Sequence, residues 1–214
     1  MLRQAGLDAE ARDVAERIQR VLTDELHHRM KNMLAMVAAI VRQTIRSARN
    51  LQDAEAAIGV RLIAMAKAHD LLLKSDWKST SLQTVLSSAV AQHDTAAGRI
   101  TVTGSDMQIA SSAILPLTLA LNELCTNAAK YGALSNDVGR VDVTCRIEGK
   151  TVTILWVESA GPPVQAPERK SLGSTLIESA LPRQLGGSGQ LMFPPSGVTF
   201  TLTVPWDRLR PGPD

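Results

Sequence analysis

The sequence predicts an α+β chain of two domains. A long helical hairpin over residues 1–80 is followed by an α/β sandwich over 81–214, a mixed sheet with helices on one face. Three observations carry this. All ten prolines lie at or beyond Pro116, and every aromatic except Trp77 lies at or beyond Tyr131. Between Leu7 and Ala97 the only glycine is Gly59, so the first stretch holds almost nothing that breaks a helix. Beyond it, runs of alternating polarity are interleaved with runs of helical spacing, the pattern of helices layered on a sheet.

Taken in order, Ile18, Leu22, Leu26, Met30, Met33, Leu34, Val37, Ile40 and Val41 recur every three or four residues as one apolar stripe. After a break at 47–53, a second stripe follows through Ile58, Leu62, Ile63, Met65, Ala66, His69, Leu72 and Leu73. One hairpin has too little to pack against, so a homodimer closing a four-helix bundle is expected. Strands are expected at 99–103, 140–147, 150–157 and 198–205. Val141, Val143, Cys145 and Ile147 alternate with polar residues there, as do Val198, Phe200, Leu202 and Val204. Glu148-Gly149 reads as a hairpin turn, and helical runs fall at 82–93, 114–131 and 174–185. Gly186-Gly187-Ser188-Gly189 reads as a helix C-cap and turn. The tail from Arg208 is expected to fray.

Composition excludes several classes. The 214 residues are 44% hydrophobic and 21% charged with a net charge of +2, which leaves no footprint for nucleic acid or anionic lipid. No apolar run reaches the roughly 18 residues of a membrane span and no secretory signal opens the chain, so a cytoplasmic location is expected. Cys125 and Cys145 form no paired framework and no metal-ligand spacing.

Three segments carry candidate chemistry. On a helical wheel His28 falls roughly 170° from the centre of the first apolar stripe, among Asp24, Lys31 and Asn32. A solvent-facing neutral imidazole suits nucleophilic attack near pH 7, although most such histidines are simply surface residues. In the second, Glu123 and Asn127 are one turn apart and Lys130 and Tyr131 continue their stripe, opposite Leu117, Leu121, Leu124 and Ala128. A carboxylate, an amide and an ammonium on one face suit a hydrated divalent cation and phosphate, and equally an ordinary solvated face. The third pairs Glu158, at the end of a buried strand running into Gly161-Pro162-Pro163, with Gly173, Ser174, Thr175 and Leu176 at a turn that opens a helix. No G-x-x-x-x-G-K-[ST] run occurs, so a P-loop is excluded.

The order of ELHHRMKNMLAMVAAIVRQT, RLIAMAKAHDLLLKSDW, LNELCTNAAKYGALS, WVESAGPPV, SLGSTLIESALPRQLGG and FPPSGVTFTLTVP resembles the transmitter region of HWE-type histidine kinases. It is similar also to the second histidine-kinase dimerisation family. The likeness runs over about 22–206. It implies a dimerisation and phosphotransfer hairpin with His28 as phosphoacceptor, followed by a Bergerat-type ATP-binding domain. Asn127 would hold Mg²⁺, Lys130 with Tyr131 would contact the nucleotide, and Glu123 would take the motif's acidic position in a metal- or water-orienting role. Glu158 would receive the adenine amino group beside Gly161, with Gly173 to Leu176 near the phosphates. Three positions depart from the pattern: Asn122 stands where the family has a histidine, and Ala160 and Ser171 stand where it has glycines. Arg29 follows His28 where sister kinases carry an acid, leaving Glu25 as a candidate base and Asn32 as a candidate water-orienting residue. The implied activity is autophosphorylation of His28 from Mg-ATP and transfer to an aspartate of a response-regulator receiver domain, with a sensor domain supplied separately or removed. The runner-up is an ATP-incompetent phosphotransferase or scaffold that docks a receiver.

Overall fold

The structure, a computed structural model, describes residues 19, 23, 27, 30, 31, 33–35, 37–42, 44–46, 48, 50–74, 79–94, 98–167 and 172–212. They belong to two compact units, 1–48 and 49–214. In the first, the described residues from 19 to 46 are helical. Ile40 and Thr44 are buried, whereas Met30, Leu34 and Ile45 stay exposed. His27 and Lys31 are exposed as well. His28, with Glu25, Arg29 and Asn32, lies outside the described residues.

The second unit opens with Asn50, whose Oδ1 accepts the Asp53 N–H at 2.8 Å and so caps helix α1 (Leu51–Lys74). Its buried stripe is Ala54, Arg61, Ala64, Met65, Ala68 and Leu72, while Leu62, Ile63 and Leu73 are exposed. The expected apolar stripe is therefore rotated: small residues and one arginine face inward, and part of the aliphatic row faces out. Strand β1 (Ser79–Ser81) pairs antiparallel with β3 (Gln108–Ala110), two short strands that the sequence reading passed over. Between them, helix α2 (Leu82–Val90) is capped by the Ser81 side chain, which accepts from Thr84 N–H at 3.2 Å. Helix α3 (Ser111–Tyr131) starts three residues earlier than expected and carries Pro116 in its second turn.

Strands β2 (Ile100–Gly104), β4 (Arg140–Glu148), β5 (Thr151–Ser159), β6 (Ser188–Met192) and β7 (Thr199–Pro205) form one sheet in the order β2-β4-β5-β7-β6. Only β2 and β4 are parallel, so the sheet is mixed. Val141, Val143, Cys145, Val152, Ile154, Trp156, Phe200, Leu202 and Val204 all point to one buried face, as the period of two requires. Leu82, Val85 and Leu86 of α2 and Ile114, Leu117, Leu121 and Leu124 of α3 join them in a single core. The opposite face, at Thr151, Thr153, Leu155 and Val157, is only half-buried. The helices thus cover one face, as expected.

Local corrections concern turns and ends. The β4–β5 hairpin turns on Gly149-Lys150, not Glu148-Gly149, with Glu148 paired to Thr151 and Gly149 at φ +58°. Glycine at the first central position is what a tight hairpin of this hand favours. The helical run α4 over 172–184 begins and ends as α-helix and widens at Leu176–Ala180, where Leu181 N–H reaches back to Leu176 O. The wider turn lies just before Pro182, which has no N–H to give. After it, Gly186 turns at φ +69°, but Ser188 and Gly189 already belong to β6. The tail is no loose end at first: helix α5 (Trp206–Leu209) inserts a fully buried Leu209. Both cysteines are buried free thiols. Burial, then the nearby Glu158 carboxylate, pushes the Cys125 thiol far up. Burial, then Asp106, raises Cys145 to about 11.

Candidate functional site

The W-x-E spacing on β5 puts Trp156 and Glu158 on the same buried face, two residues apart. Glu158 is 4% exposed, and its carboxylate accepts the Ala133 N–H at 2.8 Å and the Trp156 indole N–H at 3.2 Å. Burial pushes its carboxyl above the ordinary glutamate range, with both hydrogen bonds pulling the other way. Glycines leave the room it needs. A side chain at Gly132 would fall on Glu158 Oε2, and one at Gly197, which sits at φ +146°, on the Glu158 carbonyl oxygen. At Gly161 a Cβ would stand 2.6 Å from Ala133 Cα. Asn136 ties the two loops together, its Nδ2 donating to Ala160 O at 3.1 Å and its Oδ1 accepting from Gly139 N–H at 2.7 Å. The end of α3 and the end of β5 are therefore one packed region, and they join the second candidate segment to the Glu158–Gly161 part of the third.

Ala160 has φ +55°, alone among the described non-glycine residues in taking a positive value. A left-handed backbone at a residue with a Cβ costs about 1–2 kcal/mol. Ser171, the other departure in the glycine-rich turns, lies outside the described residues.

Helix α3 differs from the expected one-sided stripe. Every residue from Pro116 to Cys125 is buried, because the core covers one side and α1 packs on the helix as well. Glu123 consequently faces no solvent. It is 8% exposed and meets Arg61 of α1, also buried, with Nε to Oε1 at 2.6 Å and Nη2 to Oε2 at 2.9 Å. In this arrangement the Glu123 carboxylate, for which the sequence suggests a metal- or water-orienting role, is held in a bidentate ion pair. Beside it, Asn122 Nδ2 lies 3.3 Å from His93 Nε2, and Gln92 Nε2 lies 3.1 Å from the same nitrogen. Lys67 of α1 donates to Gln92 Oε1 at 2.6 Å, which fixes that amide so that its NH₂ faces the ring. His93 Nε2 is then the acceptor of both amides, by assignment from the network. Burial, then the Lys67 charge, lowers the His93 pKa. Asn122, standing where the family pattern has a histidine, is thus bonded to a histidine from another element.

The helix emerges only in its last turns. Asn127 is half-buried, and Lys130 and Tyr131 are exposed, Tyr131 by 74%. Gly173, Ser174, Thr175 and Leu176 lie within the first turns of α4 rather than in a turn before a helix. Gly173 and Ser174 are buried there, Leu176 is half-buried and Thr175 is exposed; the helical run packs on α3 and β6. Sequence reasoning missed Arg61, Gly132 and Gly197. Gly132 directly follows the Lys-Tyr pair, and Arg61 keeps the spacing of Ala54, Ala64 and Ala68 on α1, so both left a signal.

These residues suit an adenine nucleotide. Glu158 uses two of a carboxylate's roughly four acceptor positions on N–H groups, leaving capacity for an amino group. Lys130 is an exposed cation in the last turn of α3, of the kind that could meet a phosphate. Among the described residues no cluster of three His, Cys, Asp or Glu gathers. Mg²⁺ carried by phosphates takes one or two oxygen ligands from protein, and the half-buried amide of Asn127 is of that kind.

The fold is that of a histidine kinase-like ATPase domain, and the family model of that description matches residues 86–190. The HWE histidine kinase model matches residues 25–106. The chain belongs to the HWE histidine kinases. The blue-light-activated histidine kinase of Brucella anthropi is 36% identical over 204 residues, covering 93% of this chain and 42% of that protein. Its counterpart in Brucella ovis is 36% identical over 203 residues, 92% and 42% respectively. The chain thus spans about two fifths of the length of these curated relatives. Among solved structures, the histidine kinase domain of an Erythrobacter litoralis blue-light activated histidine kinase superposes with a TM-score of 0.57 at 13% identity, over 81% of this chain and 95% of that one. A longer structure of that kinase gives 0.62 at 18%, over 86% and 58%. At such identities the likeness carries the fold. No described helix is long and apolar enough to cross a membrane.

Proposed function

We propose that the chain is the transmitter of a two-component histidine kinase, which autophosphorylates His28 from Mg-ATP and passes the phosphoryl group to an aspartate of a response-regulator receiver domain. Residues 1–80 act as the dimerisation and phosphotransfer hairpin and 81–214 as the ATP-binding domain of Bergerat type. Exposed Met30, Leu34, Leu62, Ile63 and Leu73 support a homodimer whose four-helix bundle covers them. The cytoplasm is the compartment for this chemistry.

The single observation that carries the reading is Glu158: a buried acceptor at a strand end, backed by glycines and lying under the last turn of α3. It suits the adenine amino group, Lys130 the phosphates and Asn127 the Mg²⁺, which when bound spreads the developing negative charge. In the reaction a ring nitrogen of His28 forms a bond to the γ-phosphorus as the bond to the β–γ bridging oxygen breaks and ADP leaves. The attacking nitrogen is the unprotonated one, and the proton carried by the other ring nitrogen goes to a base, for which Glu25 is the candidate. The chain's own contribution is placement and charge neutralisation, which this class of reaction chiefly needs.

Incubation with γ-labelled ATP is expected to mark the wild type and leave the His28→Ala variant unmarked; equal label in both overturns the assignment. The strained Ala160 favours the second reading, an ATP-incompetent phosphotransferase or scaffold. In that case calorimetry with Mg-ATP gives no heat while phosphate exchange with a receiver persists.

A further inference from the structure

Arg61 and Glu123 stand 62 residues apart in sequence, and the fold makes them one charge pair. Both are buried, at 7% and 8% exposure, and the contact is fork on fork. Glu123 lies one turn before Asn127 and two turns before Lys130 on the same side of α3, roughly 6 Å and 10 Å along the axis. Under the proposed function those two residues face the polyphosphate of ATP. A lone carboxylate at that range, in surroundings less polar than water, repels each phosphate charge as the inverse of dielectric and distance. The repulsion therefore grows with the number of phosphates, and salt weakens it.

We propose that Arg61 is a positioning and charge-neutralising residue of the nucleotide site: by clamping Glu123 it removes a negative charge from beside the phosphates, so that affinity for ATP depends on a side chain of helix α1. This rests on the ATP-binding reading. Glu123 is then no metal ligand and no base but a negative group held silent by its partner. Whatever draws α1 away from α3 loosens the nucleotide in proportion to its charge.

The test titrates AMP, ADP and ATP into the full chain at one free Mg²⁺ concentration and two ionic strengths. Arg61→Met is expected to weaken ATP about three- to tenfold, ADP less and AMP by under twofold, with the differences narrowing at high salt. Glu123→Gln is expected to move ATP in the opposite direction, and the double variant Arg61→Met/Glu123→Gln to return it to within twofold of wild type. Equal weakening for all three nucleotides would mean that Arg61 matters only for packing, and would overturn the proposal. So would weaker ATP binding in Glu123→Gln, which would mean that the carboxylate works on the nucleotide directly. Should Arg61→Met fail to fold, Glu123→Gln and the double variant decide by the same signs. A wild type that binds none of the three nucleotides removes the ATP reading itself and this proposal with it, an outcome distinct from binding that ignores charge.

Discussion

Two glutamates are buried at helix α3, one on the helix itself and one beneath its last turn, and their surroundings differ in kind. Glu123 meets the guanidinium of Arg61, charge on charge. Glu158 meets only N–H groups, from Ala133 and the Trp156 indole. The first has its charge cancelled and its oxygens taken up by a rigid fork, which fits a structural anchor. The second keeps its charge poorly compensated and its acceptor positions partly open, which fits recognition of a neutral donor. Burial alone therefore says little about what a carboxylate does; the identity of the donor beside it says more.

The largest expected effect breaks the Glu123 side of this contrast. Arg61→Met leaves a buried carboxylate without its partner and should cost about 3–5 kcal/mol, read from urea unfolding at pH 7. Arg61→Met/Glu123→Leu, which removes both charges, should recover most of that loss. If single and double variants are equally destabilised, the pair is not the anchor described.

A smaller effect sharpens the Glu158 side. Glu158→Gln turns an amide NH₂ toward one of two N–H donors and should cost about 1–3 kcal/mol. It should also change the pH dependence of stability. Because burial raises the Glu158 carboxyl, the folded chain holds that proton more tightly than the unfolded chain does. Its contribution is fully present below the ordinary glutamate value and is lost as pH rises through the raised one. Unfolding curves across that interval should slope less in the variant than in the wild type; identical slopes would place the shift elsewhere.

The smallest effect concerns the loop beside Glu158. Ala160→Gly relieves a left-handed backbone but gains freedom in the unfolded chain. The expected net is a stabilisation of about 0.5 kcal/mol, seen as a rise in Tm. A loss of stability would argue against the positive φ.

Much of the fold was legible because alternation and turn residues are local signals. Strands β2, β4, β5 and β7 came within a residue or two of their ends, and Trp156 and Glu158 share a face by period alone. Strand β6 was hidden because Ser188 and Gly189 are turn residues by composition and become a strand only by pairing with β7. The two three-residue strands β1 and β3 are too short to show a period. At the site, spacing put Glu123 and Asn127 on one side of α3, and that much holds. What packs there is a long-range fact: the partner is 62 residues away, and no local pattern distinguishes a solvated glutamate from one awaiting an arginine. The apolar stripe of α1 was only partly legible for the same reason: Arg61 is buried on its ion pair with Glu123, while Leu62 and Ile63 stay exposed.

The sealed thiols have a practical consequence. With Cys125 and Cys145 buried and their pKa values raised, neither offers a thiolate to an alkylating reagent in the folded chain. A cysteine introduced at exposed Tyr131 or Thr175 would be the reactive position among the described residues. Fluorophores or spin labels for distance measurements can therefore be attached in the native background, with no cysteine removed first.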